Sequence, residues 1–159
     1  MYNLWQGVPA TVSLLSFNDS GDLPVGVHPV TLREVLARFG AGSTQRKAVA
    51  LRLDRVYQLA RATGHLARFV VFGSFVTDKL EPNDVDVFLL MEDSFDTSQL
   101  TGDLQLLFDH AAAQDHFGAS VFWLRRLAAL QGEQAAVEDW QVKRGGTQRG
   151  IIEIVPESP

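Results

Sequence analysis

Two aspartates one residue apart, Asp84 and Asp86, open an otherwise apolar run that ends at Met91. An ionised carboxylate is costly in an apolar layer unless an opposite charge meets it. On an extended strand, residues two apart leave the same face with Cα atoms roughly 6.6 Å apart, close enough for one divalent cation to bridge both carboxylates. The chain has no cysteine, and no histidine stands beside the pair. An oxygen-only donor set points to a hard ion, and Mg2+ is the usual one where phosphate oxygens complete its shell. Upstream, the apolar residues 69–72 stop at Gly73-Ser74, and residues 75–79 suit one helical turn. Glycine at a strand-to-helix corner leaves backbone N–H groups open to a close ligand and Ser74 adds a hydroxyl, so this corner suits phosphate.

Gly73, Ser74, nine intervening residues, then Asp84, Val85 and Asp86 resemble the signature of the DNA polymerase β-like nucleotidyltransferase superfamily. The match is to its minimal nucleotidyltransferase branch, the bacterial, toxin-antitoxin-associated type. The resemblance implies Mg2+-dependent transfer of a nucleoside monophosphate from a nucleoside triphosphate to a hydroxyl, with release of pyrophosphate. The implied acceptors are a protein tyrosine, an RNA 3′ end or an aminoglycoside-like small molecule. Gly73 and Ser74 would hold the β- and γ-phosphates, and Asp84 and Asp86 would be the catalytic metal ligands. Lys79 either neutralises the triphosphate or is simply solvated.

The superfamily also carries a third carboxylate near the start of the strand after the long helix, and this chain has Ser120 there. Three substitutes are open: Glu153 on the last strand, Asp93 in the loop after the aspartate strand, or one metal on Asp84 and Asp86 that binds nucleotide without fast chemistry. The alternative to an enzyme is therefore a degenerate nucleotidyltransferase-fold antitoxin or interaction protein whose partner is a helical ribonuclease toxin. A polymerase acting on double-stranded DNA is disfavoured, because the chain lacks room for a domain to grip a duplex and its net charge is −5.

The elements that must position these groups can be read from periodicity. Thr31-Leu32-Arg33-Glu34 is a capping box, which starts a helix at Leu32 that stops near Phe39-Gly40. Ser43 or Thr44 caps a longer helix that Gly64 ends, with Arg46, Arg52 and Arg55 on or near its polar side, either solvated or facing phosphates. Thr97 is expected to cap a helix to about Gln114, followed by a strand over residues 120–124, a helix over 131–142, a turn at Gly145-Gly146 and a strand over 150–155. Residues 1–29 read as an irregular arm with a short strand at 11–17. Within it Leu-Pro-Val-Gly-Val-His (23–28) resembles a leader found in some bacterial minimal nucleotidyltransferases. The alternation of helices and strands implies one α/β (α+β) domain over residues 1–159, a small mixed β-sheet with helices packed on it.

Composition bounds the rest. With 46% hydrophobic residues over 159 positions and mean hydropathy +0.02, the chain buries a real core, and no apolar run reaches the ~20 residues that span a membrane. No basic start or cleavage site marks a signal peptide, and the absence of cysteine fits a cytoplasmic protein. Lys143, Arg144 and Arg149, with Arg125 and Arg126, form the densest basic cluster, suited to an acceptor RNA or to nucleotide phosphates, or else a solvated hairpin. Trp123 and Trp140 either stack on a base or pack the core. The four histidines show no metal-ligand spacing.

Overall fold

The computed structural model describes residues 15–157. Ten elements follow in chain order: β1 (Val27–Thr31), α1 (Leu32–Phe39), α2 (Thr44–Ala62), β2 (Leu66–Phe72), β3 (Val85–Met91), α3 (Gly102–Leu107), α4 (His110–Phe117), β4 (Ala119–Arg125), α5 (Glu133–Glu138) and β5 (Ile151–Val155). The strands form one sheet in the order β1-β5-β2-β3-β4. The β1–β5 and β3–β4 pairs are parallel, and β2 runs antiparallel to both β3 and β5. The architecture is thus a mixed α/β sheet with helices packed against it, as expected.

Pleating divides the strand residues between two layers. One carries Phe69, Val71, Val87, Leu89, Val121 and Ile152 into the main core beneath α1 and α2, with Val35, Leu53 and Val56 fully buried among them. The other carries Val70, Phe88, Leu90 and Ile151 into a smaller cluster closed by Val137 of α5 and by Trp140. Both faces of β3 are therefore covered, which is why it reads as a continuous apolar run. Asp86 lies on the face of the smaller cluster, at the end of the strand that α5 leaves open.

The capping box at Thr31 forms in both directions, its hydroxyl accepting from Glu34 N and the Glu34 carboxylate accepting from Thr31 N. Ser43 caps α2 by accepting from Arg46 N. Three expectations change. The arm gives way to strand β1 at Val27, and the strand expected at 11–17 falls on positions 11–14, outside the described residues, and on 15–17, which are not extended into a ladder. The helix expected from Thr97 is broken into a 3-10 turn at Thr97–Gln99, α3 and α4. Asp96 and Asp109 turn their carboxylates to backbone N–H groups and start new elements there. The helix over 131–142 is shorter, α5 followed by a 3-10 turn at Asp139–Gln141. Among the described residues no helix is long and apolar enough to cross a membrane.

Candidate functional site

Strand β2 ends at Gly73, whose backbone (φ +81°) lies in a region that favours glycine. A 3-10 turn follows at Ser74–Val76, anchored by the fully buried Phe75 and Val76 and tied by Thr77 Oγ1 donating to Ser74 O at 2.7 Å. A Cβ on residue 73 would overlap the Asp86 carboxylate. The missing side chain is thus what lets the acid and the turn share one corner. The Ser74 hydroxyl, on the wall of the cleft, has no protein hydrogen-bond partner among the described residues.

The segment joining the Gly-Ser turn to the aspartates hangs from α2. Ser43 Oγ donates to Leu80 O (2.9 Å), Gln45 Nε2 to Pro82 O (2.9 Å) and Arg52 Nη1 to Asn83 O (3.1 Å). Arg46 overturns the polar-side expectation for its position: only 5% exposed, it donates to the carbonyls of Phe39, Phe75, Thr77 and Lys79. Carbonyl dipoles satisfy the guanidinium fork, and burial lowers its pKa. Arg55 instead pairs with Asp103 on the surface.

Asp86 meets Ser120 directly across the parallel β3–β4 pair. Ser120 Oγ donates a long 3.4 Å bond to Asp84 Oδ2 and accepts from Gln114 Nε2 at 3.0 Å. Burial, and then the charge on Asp84, push the Asp86 carboxyl up to about 6, against the pull of the neighbouring Ser120 hydroxyl and of Arg149. The residue beside the two aspartates on β4 is therefore an uncharged serine paired with Gln114.

Glu153 does not join the aspartates. It lies on the same face of the sheet but opposite Val70, whereas Asp86 lies opposite Phe72. Both its oxygens accept from Arg68, at 2.9 and 2.6 Å. Asp93 sits beyond the other end of β3 and accepts from Leu127 N (2.8 Å). Both substitutes for the third acid are engaged elsewhere. Among the described residues no group of three or more His, Cys, Asp or Glu side chains converges on a metal position. Asp84 and Asp86 do fit an ion that draws its remaining ligands from phosphate and water, since the two carboxylates lie close enough for the charge on Asp84 to help raise Asp86.

The corner opens into a cleft of about 960 Å³ lined by Gly73, Ser74, Lys79, Asn83, Asp86, His110, Gln114, Ser120, Phe122, Trp140, Lys143, Arg144 and Arg149. The expected basic cluster divides. Lys143, Arg144 and Arg149 face the cleft, whereas Arg125 donates to Phe95 O and Arg126 pairs with Glu92 and Glu133. Lys143 (2.8 Å) and Arg149 (3.7 Å) are held by the buried Asp22, which immediately precedes residues 23–28. That segment is fastened in turn by Gly26 N donating to Gln141 Oε1 (2.6 Å) and Gly150 N donating to Leu23 O (3.0 Å). Lys79 and Arg144 meet no carboxylate among the described residues.

Sequence reasoning missed Asp22, His110 and Gln114. Asp22 stood in a turn cluster, where aspartate is ordinary. His110 and Gln114, one turn apart on α4, come to the cleft only because that helix starts afresh at Asp109. The His110 Nδ1 lies 3.3 Å from Val121 O and its ring packs 4.9 Å from Phe122.

A family model described as a family of unknown function (DUF6932) matches residues 15–155, so the chain belongs to that family. No curated protein and no solved structure matches it.

Proposed function

We propose that the cleft binds a nucleoside triphosphate with Mg2+, and that the protein is nucleotidyltransferase-like, transferring the nucleoside monophosphate to a hydroxyl of a protein, RNA or small-molecule acceptor. The observation that carries this is the meeting of the Gly73-Ser74 turn and Asp86, with Asp84 close behind it at the Ser120 hydroxyl, in one cleft whose other wall is cationic. Asp84 and Asp86 would hold the ion, which when bound neutralises phosphate charge. The Ser74 hydroxyl and the backbone at Gly73 donate to phosphate oxygens, and Lys79 and Arg144 balance the charge that remains. In the transfer, a bond forms between the acceptor oxygen and the α-phosphorus while the bond to pyrophosphate breaks. The hydroxyl proton needs an acceptor other than a third carboxylate. His110 offers one: its Nδ1 lies against Val121 O, which only accepts, so Nε2 is the ring atom turned to that role in the cleft. Rate then comes from positioning and charge rather than from a protein nucleophile.

Ser120 favours a second reading, a nucleotide-binding member without transfer that serves as antitoxin to a helical ribonuclease. The exposed Leu127 (81%) and Leu130 (91%), beside β4 at the edge of the sheet among the described residues, would suit such a partner. Titration with Mg2+ and each of the four ribonucleoside triphosphates, following binding and pyrophosphate release together, separates the two. Release that Asp84→Asn and Asp86→Asn abolish supports transfer; binding without release supports the second reading; no binding refutes both.

A further inference from the structure

Beside the cleft lies a second cavity of about 450 Å³, walled mainly by Phe88, Phe122, Leu124, Leu130, Ala136 and Trp140. Phe122 and Trp140 line both spaces, so the apolar cavity and the polar cleft share an aromatic wall. Trp140 sits at the centre of that wall, its ring 4.6 Å from Phe72, 5.0 Å from Phe122 and 5.2 Å from Phe88. Phe122 keeps 38% of its surface exposed and Trp140 is half-buried. At the rim, Gln131 and Asp139 have side chains with no hydrogen-bond or ion-pair partner among the described residues. Open aromatic faces beside unengaged polar groups suit a planar heterocycle, and the shared wall puts that heterocycle next to a phosphate site.

We propose that this cavity seats the nucleobase of the triphosphate held in the cleft. The inference rests on the nucleotide-binding reading and adds the contact that the phosphate cleft alone lacks, one to the nucleoside end.

Calorimetric titration of the protein with Mg2+ plus ATP, UTP or inorganic tripolyphosphate tests it, with tryptophan fluorescence as a second readout. The expected result is that both nucleotides bind tighter than tripolyphosphate by about tenfold or more, the usual worth of stacking a base on aromatic side chains, and that only the nucleotides change the fluorescence. Ala128→Trp fills the cavity from an exposed position. It should remove the nucleotide preference and leave tripolyphosphate binding unchanged. Equal affinity for nucleotide and tripolyphosphate, or a preference that survives Ala128→Trp, overturns the base site and leaves the phosphate site standing. Failure of tripolyphosphate and of both nucleotides to bind overturns the nucleotide reading and the base site with it.

Discussion

Ser120 stands directly beside Asp86 in the register of two parallel strands, with its hydroxyl 3.4 Å from Asp84 Oδ2. Ser120→Asp should therefore set a third carboxylate against the pair. Without metal this adds like charge to a site where Asp86 is already pushed up to about 6, so the melting temperature should fall. With Mg2+ the sign reverses: affinity should rise by about tenfold, equivalent to about 1.4 kcal/mol. Thermal melts across a Mg2+ series check both signs.

Gly73 and Gly64 both have positive φ, +81° and +74°, but only at Gly73 would a Cβ meet a neighbour, the Asp86 carboxylate. Gly64→Ala should cost only backbone strain, on the order of 1 kcal/mol. Gly73→Ala should cost that plus the displacement of Asp86. Urea unfolding of the two variants gives the difference, and Mg2+ binding should be lost in Gly73→Ala alone.

Arg46→Ala leaves the carbonyls of Phe39, Phe75, Thr77 and Lys79 without their donor. At about 1–3 kcal/mol for each buried group left unpaired, the loss should exceed about 3 kcal/mol. Arg46→Lys should rescue little, because three donors on a compact ammonium cannot match the planar fork. Arg52→Ala, which removes one exposed bond to Asn83 O, should cost less than about 1 kcal/mol. Denaturant midpoints for the three variants test the order.

The raised pKa of Asp86 sets a pH dependence in the metal-free protein. Its folded value, about 6, exceeds the ordinary 3.8, so between those values the folded state holds the proton more tightly than the unfolded chain. This group therefore favours folding at low pH, and stability falls as pH rises from about 4 through 6. Asp86→Asn should match the wild type near pH 4 and exceed it at pH 8. Melts at both values, with a chelator present, measure the gap, and a gap of opposite sign would contradict the burial argument.

The strands and helices nearest the site were legible because each rests on local signals: apolar runs ending at Gly73 and beginning after Asp84, and a capping box at Thr31. What was not legible depended on tertiary contacts. Arg46 sits on a helix face that looks polar until the segment above offers it three carbonyls and the end of α1 a fourth. Glu153 lies on the same face of the sheet as Asp86, but strand order alone decides that Arg68 claims it. Asp22 is distant in sequence from Lys143 and Arg149 and joins them only because β1 pairs with β5. The break at Asp109, which delivers His110 and Gln114 to the cleft, turns on one carboxylate accepting from Ala112 N in place of a continued helix.

Equilibrium binding of a Mg2+-bound nucleoside triphosphate to the wild type and to Asp86→Asn bears most directly on the proposed site. Saturable binding by the wild type, weakened about tenfold or more by the loss of one carboxylate and absent with the nucleotide and a chelator, is the result expected. A wild-type protein that leaves the nucleotide free at millimolar Mg2+, or an Asp86→Asn variant that binds it equally well, would contradict it.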